Sequence, residues 1–202
     1  MRTASLGECY AGIDDGYFVK GMRKTVMALA VHCFVGSSLC PFHIAVDTVE
    51  VDGLDAVDVA ASLVRRASTE KRVQLSLVLL DTNIFAGFNV LDPEELQRRI
   101  EVPVAVVYWY RPEAGRVKEA LRKHFPDWSR RLGILEKVWS RLTTVSCSKG
   151  KVLVAVYGST LTDVWSKLCR LQLYTRHPEP LYTAHVVASA ASRFLISSGV
   201  LR

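Results

Sequence analysis

Three aspartates occupy similar positions in the sequence, each at the end of a segment that is typical of a β-strand. Asp14 follows the apolar run that starts at Tyr10, Asp52 follows an alternating segment, and Asp81 ends the run of Val and Leu that starts at Val73. A carboxylate at the end of a buried strand is costly unless its charge is compensated. Carboxylates that meet bind hard divalent cations such as Mg²⁺ or Mn²⁺, which lower the pKa of a bound water. We therefore predict Asp14, Asp52 and Asp81 to be metal-binding catalytic residues.

Each of these predictions has a structural alternative. Asp81 also suits the turn that begins at Thr82, and Asp52 also suits the start of a helix, since aspartate is common at both places. Asp55 and Glu50 are alternatives to Asp52 as the third carboxylate. His185 lies in a mostly apolar helical segment, where a core histidine is the simpler explanation. The residues that we expect beside the cluster, in supporting positions, are Asp15, Asp55, Asn83, Asn89 and His185.

The strands that would position these carboxylates follow from the apolar pattern. The segments starting at Tyr10, from Lys24 to Val35 and from His43 to Val51 predict three strands, with a turn at 36–41 before the third. Short connections between consecutive strands imply an antiparallel meander. A helical pattern from Leu54 to Ala67 then leads into the buried strand that ends at Asp81.

The rest of the chain predicts an α/β fold, with three antiparallel strands followed by parallel strands. A helix opening at Asp92-Pro93 precedes a strand from Val102 to Trp109, a spacing that favours right-handed parallel crossovers. The first and fourth strands then lie side by side, so their carboxyl ends converge. Later predicted elements are helices at 113–124, 128–139, 160–171 and 181–196 and a strand at 152–157. We expect one domain over residues 1–202.

The composition indicates a soluble globular protein. Of the 202 residues half are hydrophobic and 23% are charged, and the most apolar window is interrupted by His32 and Pro41. This predicts no membrane span, and acidic residues early in the chain argue against a signal peptide, so we expect a cytoplasmic location. Five cysteines without a C-x-x-C pair are typical of buried apolar residues rather than of disulfides or a zinc site. The sequence makes no prediction of oligomeric state.

Charge is unevenly distributed along the chain. Residues 1–60 carry four basic and eight acidic side chains, whereas residues 111–151 carry eleven basic and four acidic ones. An acidic cluster beside a basic region suits an enzyme that acts on a polyanion, so DNA or RNA is the expected partner. A solvated helix face is the alternative explanation. The residues expected to contact nucleic acid are Arg111, Arg116 and Lys118 through phosphates, and Tyr108 and Tyr110, with Trp109, through stacking.

Four segments, taken together and in order, resemble a known family. They are Ala11-Gly-Ile-Asp14, Val51-Asp-Gly-Leu-Asp-Ala56, Leu80-Asp-Thr-Asn-Ile-Phe-Ala-Gly-Phe-Asn89 and Arg176-His-Pro-Glu-Pro-Leu-Tyr-Thr-Ala-His185. The set resembles endonuclease V and, more closely, an archaeal family related to it. The resemblance implies a ribonuclease H-like fold and a magnesium- or manganese-dependent nuclease in which Asp14 and Asp81 bind the metal. Asp52 stands where endonuclease V has a glutamate.

The chain also departs from that pattern. It lacks the tyrosine-proline-glycine wedge that endonuclease V places beside a deaminated base, and it has Tyr108-Trp-Tyr-Arg111 where the family has a catalytic lysine. Tyr182 replaces a usual arginine. We therefore carry two main hypotheses: a metal-dependent nuclease, and a nucleic-acid-binding module that kept the fold without the catalysis. A small-molecule phosphoester hydrolase is a third, which would need a closed pocket rather than an open groove.

Overall fold

The centre of the molecule is a mixed β-sheet, seen in a computed structural model that describes residues 6–201. Within these residues the strands, in chain order, are β1 (Leu6–Asp15), β2 (Lys24–Val35), β3 (Ser38–Glu50), β4 (Leu75–Asp81), β5 (Ile84–Phe85), β6 (Asn89–Val90), β7 (Val104–Tyr108), β8 (Thr143–Cys147) and β9 (Gly150–Tyr157). Seven of them form one sheet in the order β3-β2-β1-β4-β7-β9-β8, and β5 and β6 form a small hairpin.

Helices cover both faces of this sheet. They are α1 (Ala56–Lys71), α2 (Pro93–Ile100), α3 (Ala114–His124), α4 (Trp128–Arg141), α5 (Leu161–Leu171) and α6 (Glu179–Ser197). Apolar residues of α1, α2 and α4 form one core with the sheet, and those of α5 and the start of α6 form a second core on the opposite face. No helix within residues 6–201 is long and apolar enough to cross a membrane.

The strand directions agree with the sequence-based prediction. β1 pairs antiparallel with β2, and β2 with β3, which is the expected meander. β1 and β4 are parallel neighbours, and β7 runs parallel on the other side of β4. The pairing sets Ile13 opposite Leu80, so the next residues of the two strands, Asp14 and Asp81, leave the sheet side by side. The predicted fold class is confirmed.

The structure differs from the predicted elements at three places. Pro41 lies inside β3 rather than in a turn, at a shift in the register with β2. A proline is tolerated there because β3 is an edge strand. β8 and the hairpin of β5 and β6 were not predicted, since they are short and lack a clear apolar alternation. β8 extends the edge of the sheet, and the hairpin of β5 and β6 shapes the loop after Asp81.

The prediction that the cysteines form no disulfides is wrong. Cys9 is bonded to Cys33 and Cys147 to Cys169, and Cys40 is free. The register of β1 and β2 sets Cys9 directly opposite Cys33, with their Cα atoms 4.1 Å apart. The other pair joins β8 to α5. Spacing in the sequence does not reveal these pairings because they depend on register and on how a helix packs.

We expect the joint change of Cys147 and Cys169 to serine to lower the melting temperature. The bond closes a loop with a sequence separation of 22, and a loop of this length contributes about 3 kcal/mol by restricting the unfolded chain. For a chain of this size that corresponds to roughly 6 to 12 °C. Thermal unfolding without reductant measures the effect, with Cys40→Ser as the control. A melting temperature equal to that of the parent protein would show that the bond contributes no stability.

Candidate metal centre

Asp14, Asp81 and His185 come together at the carboxyl ends of β1 and β4. One ligand atom from each residue lies within 4.8 Å of the other two. His185 Nδ1 is 2.8 Å from Asp14 Oδ2, while Asp81 Oδ1 is buried and has no hydrogen-bond partner. A buried carboxylate oxygen without a partner is unfavourable unless a cation or a proton meets it. The two carboxylates are oxygen donors that fit a hard divalent cation such as Mg²⁺ or Mn²⁺, and the imidazole adds a nitrogen donor of the kind that transition metals accept.

Gly12 in β1 and Gly16, the residue after β1, bring α6 close enough to supply His185. A β-carbon added at Gly12 would lie 2.3 Å from the carbonyl carbon of Pro180, and one added at Gly16 would lie 2.5 Å from Ala188 O. The helix backbone therefore rests directly on the strand at both ends of this contact. His185 stands between these two points, which places its ring over Asp14.

The electrostatics of the cluster favour binding of protons or cations. Burial, together with the neighbouring carboxylates of Asp81 and Asp15, raises the pKa of Asp14 well above its usual value. Burial also raises the pKa of Asp81, against the opposing effects of the Trp109 side chain and His185. Burial raises the pKa of Asp15 to about 6, partly offset by hydrogen bonds from backbone N–H groups. The metal-free cluster therefore retains protons that a divalent cation must displace.

We expect Mn²⁺ to raise the melting temperature more at about pH 8 than at about pH 5.5. Raised aspartate pKa values mean that bound protons stabilise the folded metal-free protein at low pH, and this stability is lost as the pH rises above the ordinary aspartate range. A cation then replaces the protons. Thermal unfolding with and without Mn²⁺ tests this, with Asp58→Asn as a surface control. An equal Mn²⁺ effect in Asp14→Asn would contradict the site.

Asp15 supports the loop after β4 rather than the metal cluster itself. Its Oδ2 accepts a hydrogen bond of 2.8 Å from Ala86 N, and its own N–H donates to Asp14 Oδ1 at 2.8 Å. Asp15 thus links Asp14 to the segment between β5 and β6. Its supporting position beside a metal stays a prediction.

The structure does not bring Asp52 into the cluster. Asp52 is exposed, and its backbone is left-handed with φ of 58°. Its N–H donates to Ala86 O, and its carboxylate accepts from Phe88 N at 2.8 Å, so both ends of the residue are engaged by the loop of β5 and β6. Asp55, the alternative, accepts instead from Glu50 N and from the side chain of Asn89. The third side chain that meets Asp14 and Asp81 is therefore His185 rather than either carboxylate.

Asn83 and Asn89 are buried and hold the loop after β4 in shape. Asn83 Oδ1 accepts from Tyr108 Oη at 2.7 Å, and its Nδ2 donates to Leu91 O. Asn89 Oδ1 accepts from Ala56 N at the start of α1. Both side chains are thus engaged by neighbouring protein groups, and their role beside a metal stays a prediction.

Arg131 is a positioning residue that the sequence did not reveal. It lies on α4 with only 5% of its surface exposed. Its Nη1 donates to Gly53 O at 2.9 Å and to Phe88 O at 2.6 Å, and its Nε contacts Asp127. In the sequence it is one of many basic residues between 111 and 151, and no local pattern distinguishes it.

The residues predicted to contact nucleic acid fall into two groups. Tyr108 is buried, and its hydroxyl both donates to Asn83 and accepts from Trp139 Nε1, so it cannot stack on a base and that prediction is wrong. Tyr110, in contrast, is 73% exposed. The basic residues Arg111, Arg116 and Lys118 are exposed as well, and their contact with phosphates stays a prediction.

The sequence of the protein matches a known family over most of its length. The sequence model of the family described as endonuclease dU matches residues 9–192. The chain belongs to the endonuclease dU family. Among relatives of this family member, the UPF0215 protein of Aeropyrum pernix is 33% identical over 186 residues, which cover 91% of this chain and 98% of that protein. The predicted relationship to an archaeal family is confirmed.

Comparison with solved structures shows that this endonuclease dU family member has the same fold as endonuclease V. A protein of unknown function from Archaeoglobus fulgidus superposes with a TM-score of 0.74 at 23% identity, covering 91% of this chain and 98% of that one. The D234N variant of Ciona intestinalis endonuclease V, in complex with a 23mer DNA containing an inosine followed by a ribo-adenosine, gives a TM-score of 0.60 at 13% identity, with 96% and 86% covered. At these identities the likeness shows the shared fold.

Proposed function

We propose that this protein is a divalent-metal-dependent endonuclease in which Asp14, Asp81 and His185 hold Mg²⁺ or Mn²⁺. The observation that carries the proposal is the meeting of these side chains around a buried Asp81 oxygen that has no partner. A bound divalent cation supplies a water of lowered pKa and neutralises charge that develops on a phosphodiester. The two aspartates provide the negative charge that holds it.

His185 is the exposed member of the proposed cluster. Its side chain is 61% exposed while the carboxylate of Asp14 is buried, so the imidazole forms the open side of the cluster. Asp14 contacts one ring nitrogen, which orients the ring. The second ring nitrogen would then be available to the metal.

DNA that contains deoxyuridine is the first substrate that we propose. The description of the family, endonuclease dU, supports this choice, and the inosine-containing DNA bound by Ciona endonuclease V supports a deaminated base more generally. The basic region 111–151 would supply phosphate contacts to DNA or RNA.

A cleavage assay tests this function. Labelled DNA with one deoxyuridine, DNA with one inosine, unmodified DNA and RNA are each incubated with Mn²⁺, with Mg²⁺ and with chelator. We expect cleavage of the deoxyuridine strand that requires a metal and that Asp81→Asn abolishes. Cleavage that continues with chelator, or that is unchanged in Asp81→Asn, would contradict the proposed site.

Binding without cleavage is the second candidate function. It is supported by Asp52, which lies outside the cluster, and by the stretch Tyr108-Trp-Tyr-Arg111, which stands where the related enzymes have a lysine. In that case DNA binding weakens with salt and persists with chelator, while all four substrates stay intact with either metal.

A further inference from the structure

A cavity of about 440 Å³ opens directly beside the metal-binding cluster. Asp81 and His185 belong to both, so a group that fills the cavity lies next to the metal ligands. The side chains that line the cavity are Asp81, Trp109, Thr175, His177, Leu181, Tyr182 and His185. Apart from the two shared ligands, most of this lining is aromatic or apolar.

The aromatic wall is already arranged by stacking. The rings of Trp109 and His177 have centroids 3.9 Å apart and an interplanar angle of 32°. Burial and the neighbouring Arg176 lower the pKa of His177. Arg176 lies 5.9 Å from the centre of the Trp109 ring and donates to Tyr110 Oη at 2.9 Å. The positive charge of Arg176 therefore lies at the edge of the aromatic wall formed by Trp109 and His177.

Tyr182 is a more exposed part of the lining. It lies on α6, three residues before His185, and is 52% exposed. Its ring lines the cavity and is accessible to a ligand. The cavity thus offers aromatic surface from the residue after β7, from the segment before α6 and from α6 itself.

We propose that this cavity binds the nucleobase of a nucleotide adjoining the phosphodiester that is cleaved, and this inference rests on the proposed function. A flat, apolar ligand with a polar edge fits aromatic walls that supply few fixed hydrogen-bond donors. The shared residues Asp81 and His185 would place such a base next to the proposed metal site. Stacking accepts any base, so the cavity positions the phosphate and leaves base identity to be read elsewhere.

Binding of single-stranded DNA that contains one deoxyuridine, which fixes where the proposed enzyme binds, and 2-aminopurine at one other position tests the cavity without requiring turnover. Fluorescence is recorded with chelator as the 2-aminopurine is moved along the strand, since stacking quenches it. We expect quenching at one position with the parent protein. Tyr182→Leu should lower affinity for that strand roughly tenfold or more, whereas Tyr182→Phe keeps the ring and the affinity. Trp165→Leu, at an exposed tryptophan on α5, is the control.

Cleavage of substrates with single abasic sites provides a second measurement. An abasic site at the stacked position should raise KM for the parent protein roughly tenfold and leave KM unchanged for Tyr182→Leu, because the lost contact is the same in both. Quenching at one position without cleavage of any substrate would support the cavity and reject the nuclease. Cleavage without quenching at any position, or equal abasic effects in both proteins, would overturn the cavity and leave the nuclease standing.

Discussion

Replacement of Asp81 by asparagine is expected to lower the rate of metal-dependent cleavage by roughly a thousandfold. Asparagine keeps the shape of the side chain and removes the negative charge that would hold the cation. The same change leaves the fold intact, because it also removes repulsion between Asp81 and the buried carboxylate of Asp14. We therefore expect the melting temperature of the metal-free variant to equal or exceed that of the parent protein. Single-turnover cleavage and thermal unfolding measure the two effects.

Two further asparagine variants make this result specific. Asp58→Asn removes a carboxylate on the surface of α1, where it pairs with Arg99, and should leave the cleavage rate within about twofold.

Asp52→Asn tests whether Asp52 also acts as a metal ligand, in addition to Asp14, Asp81 and His185. Asparagine tolerates the left-handed backbone at that position, so a large loss of activity would come from the charge. Such a loss would show that Asp52 reaches the metal during the reaction and that the assignment of three ligands is incomplete.

Replacement of Gly12 by alanine is expected to reduce both stability and activity, although Gly12 contacts no metal or substrate. The added β-carbon would lie 2.3 Å from the carbonyl carbon of Pro180 and 2.4 Å from Leu181 N, and these backbone atoms can move only with the helix. We expect a loss of roughly 3 kcal/mol in the free energy of unfolding. A displacement of α6 by about 1 Å moves His185 away from Asp14 and lowers cleavage roughly a hundredfold.

Gly115→Ala is the matched control for this change. Gly115 lies in α3, and an added β-carbon meets no atom within 4 Å there, so alanine should stabilise the helix slightly. Metal affinity distinguishes the mechanism in Gly12→Ala, because a shifted α6 weakens Mn²⁺ binding in the protein that remains folded. Full cleavage activity in a folded Gly12→Ala variant would show that the position of α6 does not control the site.

Much of the fold was predictable because the apolar pattern is strong where the sheet is buried. The antiparallel start, the central strand ending at Asp81 and the parallel crossovers each follow from periodicity and the handedness of strand connections. The meeting of Asp14 and Asp81 was predictable for the same reason, since parallel neighbours end at one edge of a sheet. Tyr108 illustrates the limit. It lies at the end of a buried strand, next to the other aromatic residues, and its hydroxyl is enclosed by an asparagine and a tryptophan from other parts of the chain.

The sequence by itself determined the class of fold, the family and two of the three residues in the cluster. Only the tertiary structure decided the third, because His185 is 171 residues from Asp14 and meets it where two glycines let a helix touch a strand. The tertiary structure also decided the turn that directs Asp52 away from this cluster. It likewise decided the strand register that pairs Cys9 with Cys33. Periodic patterns specify which face of an element is buried. Contacts between distant side chains depend on packing distances of a few tenths of an ångström, which no local pattern encodes.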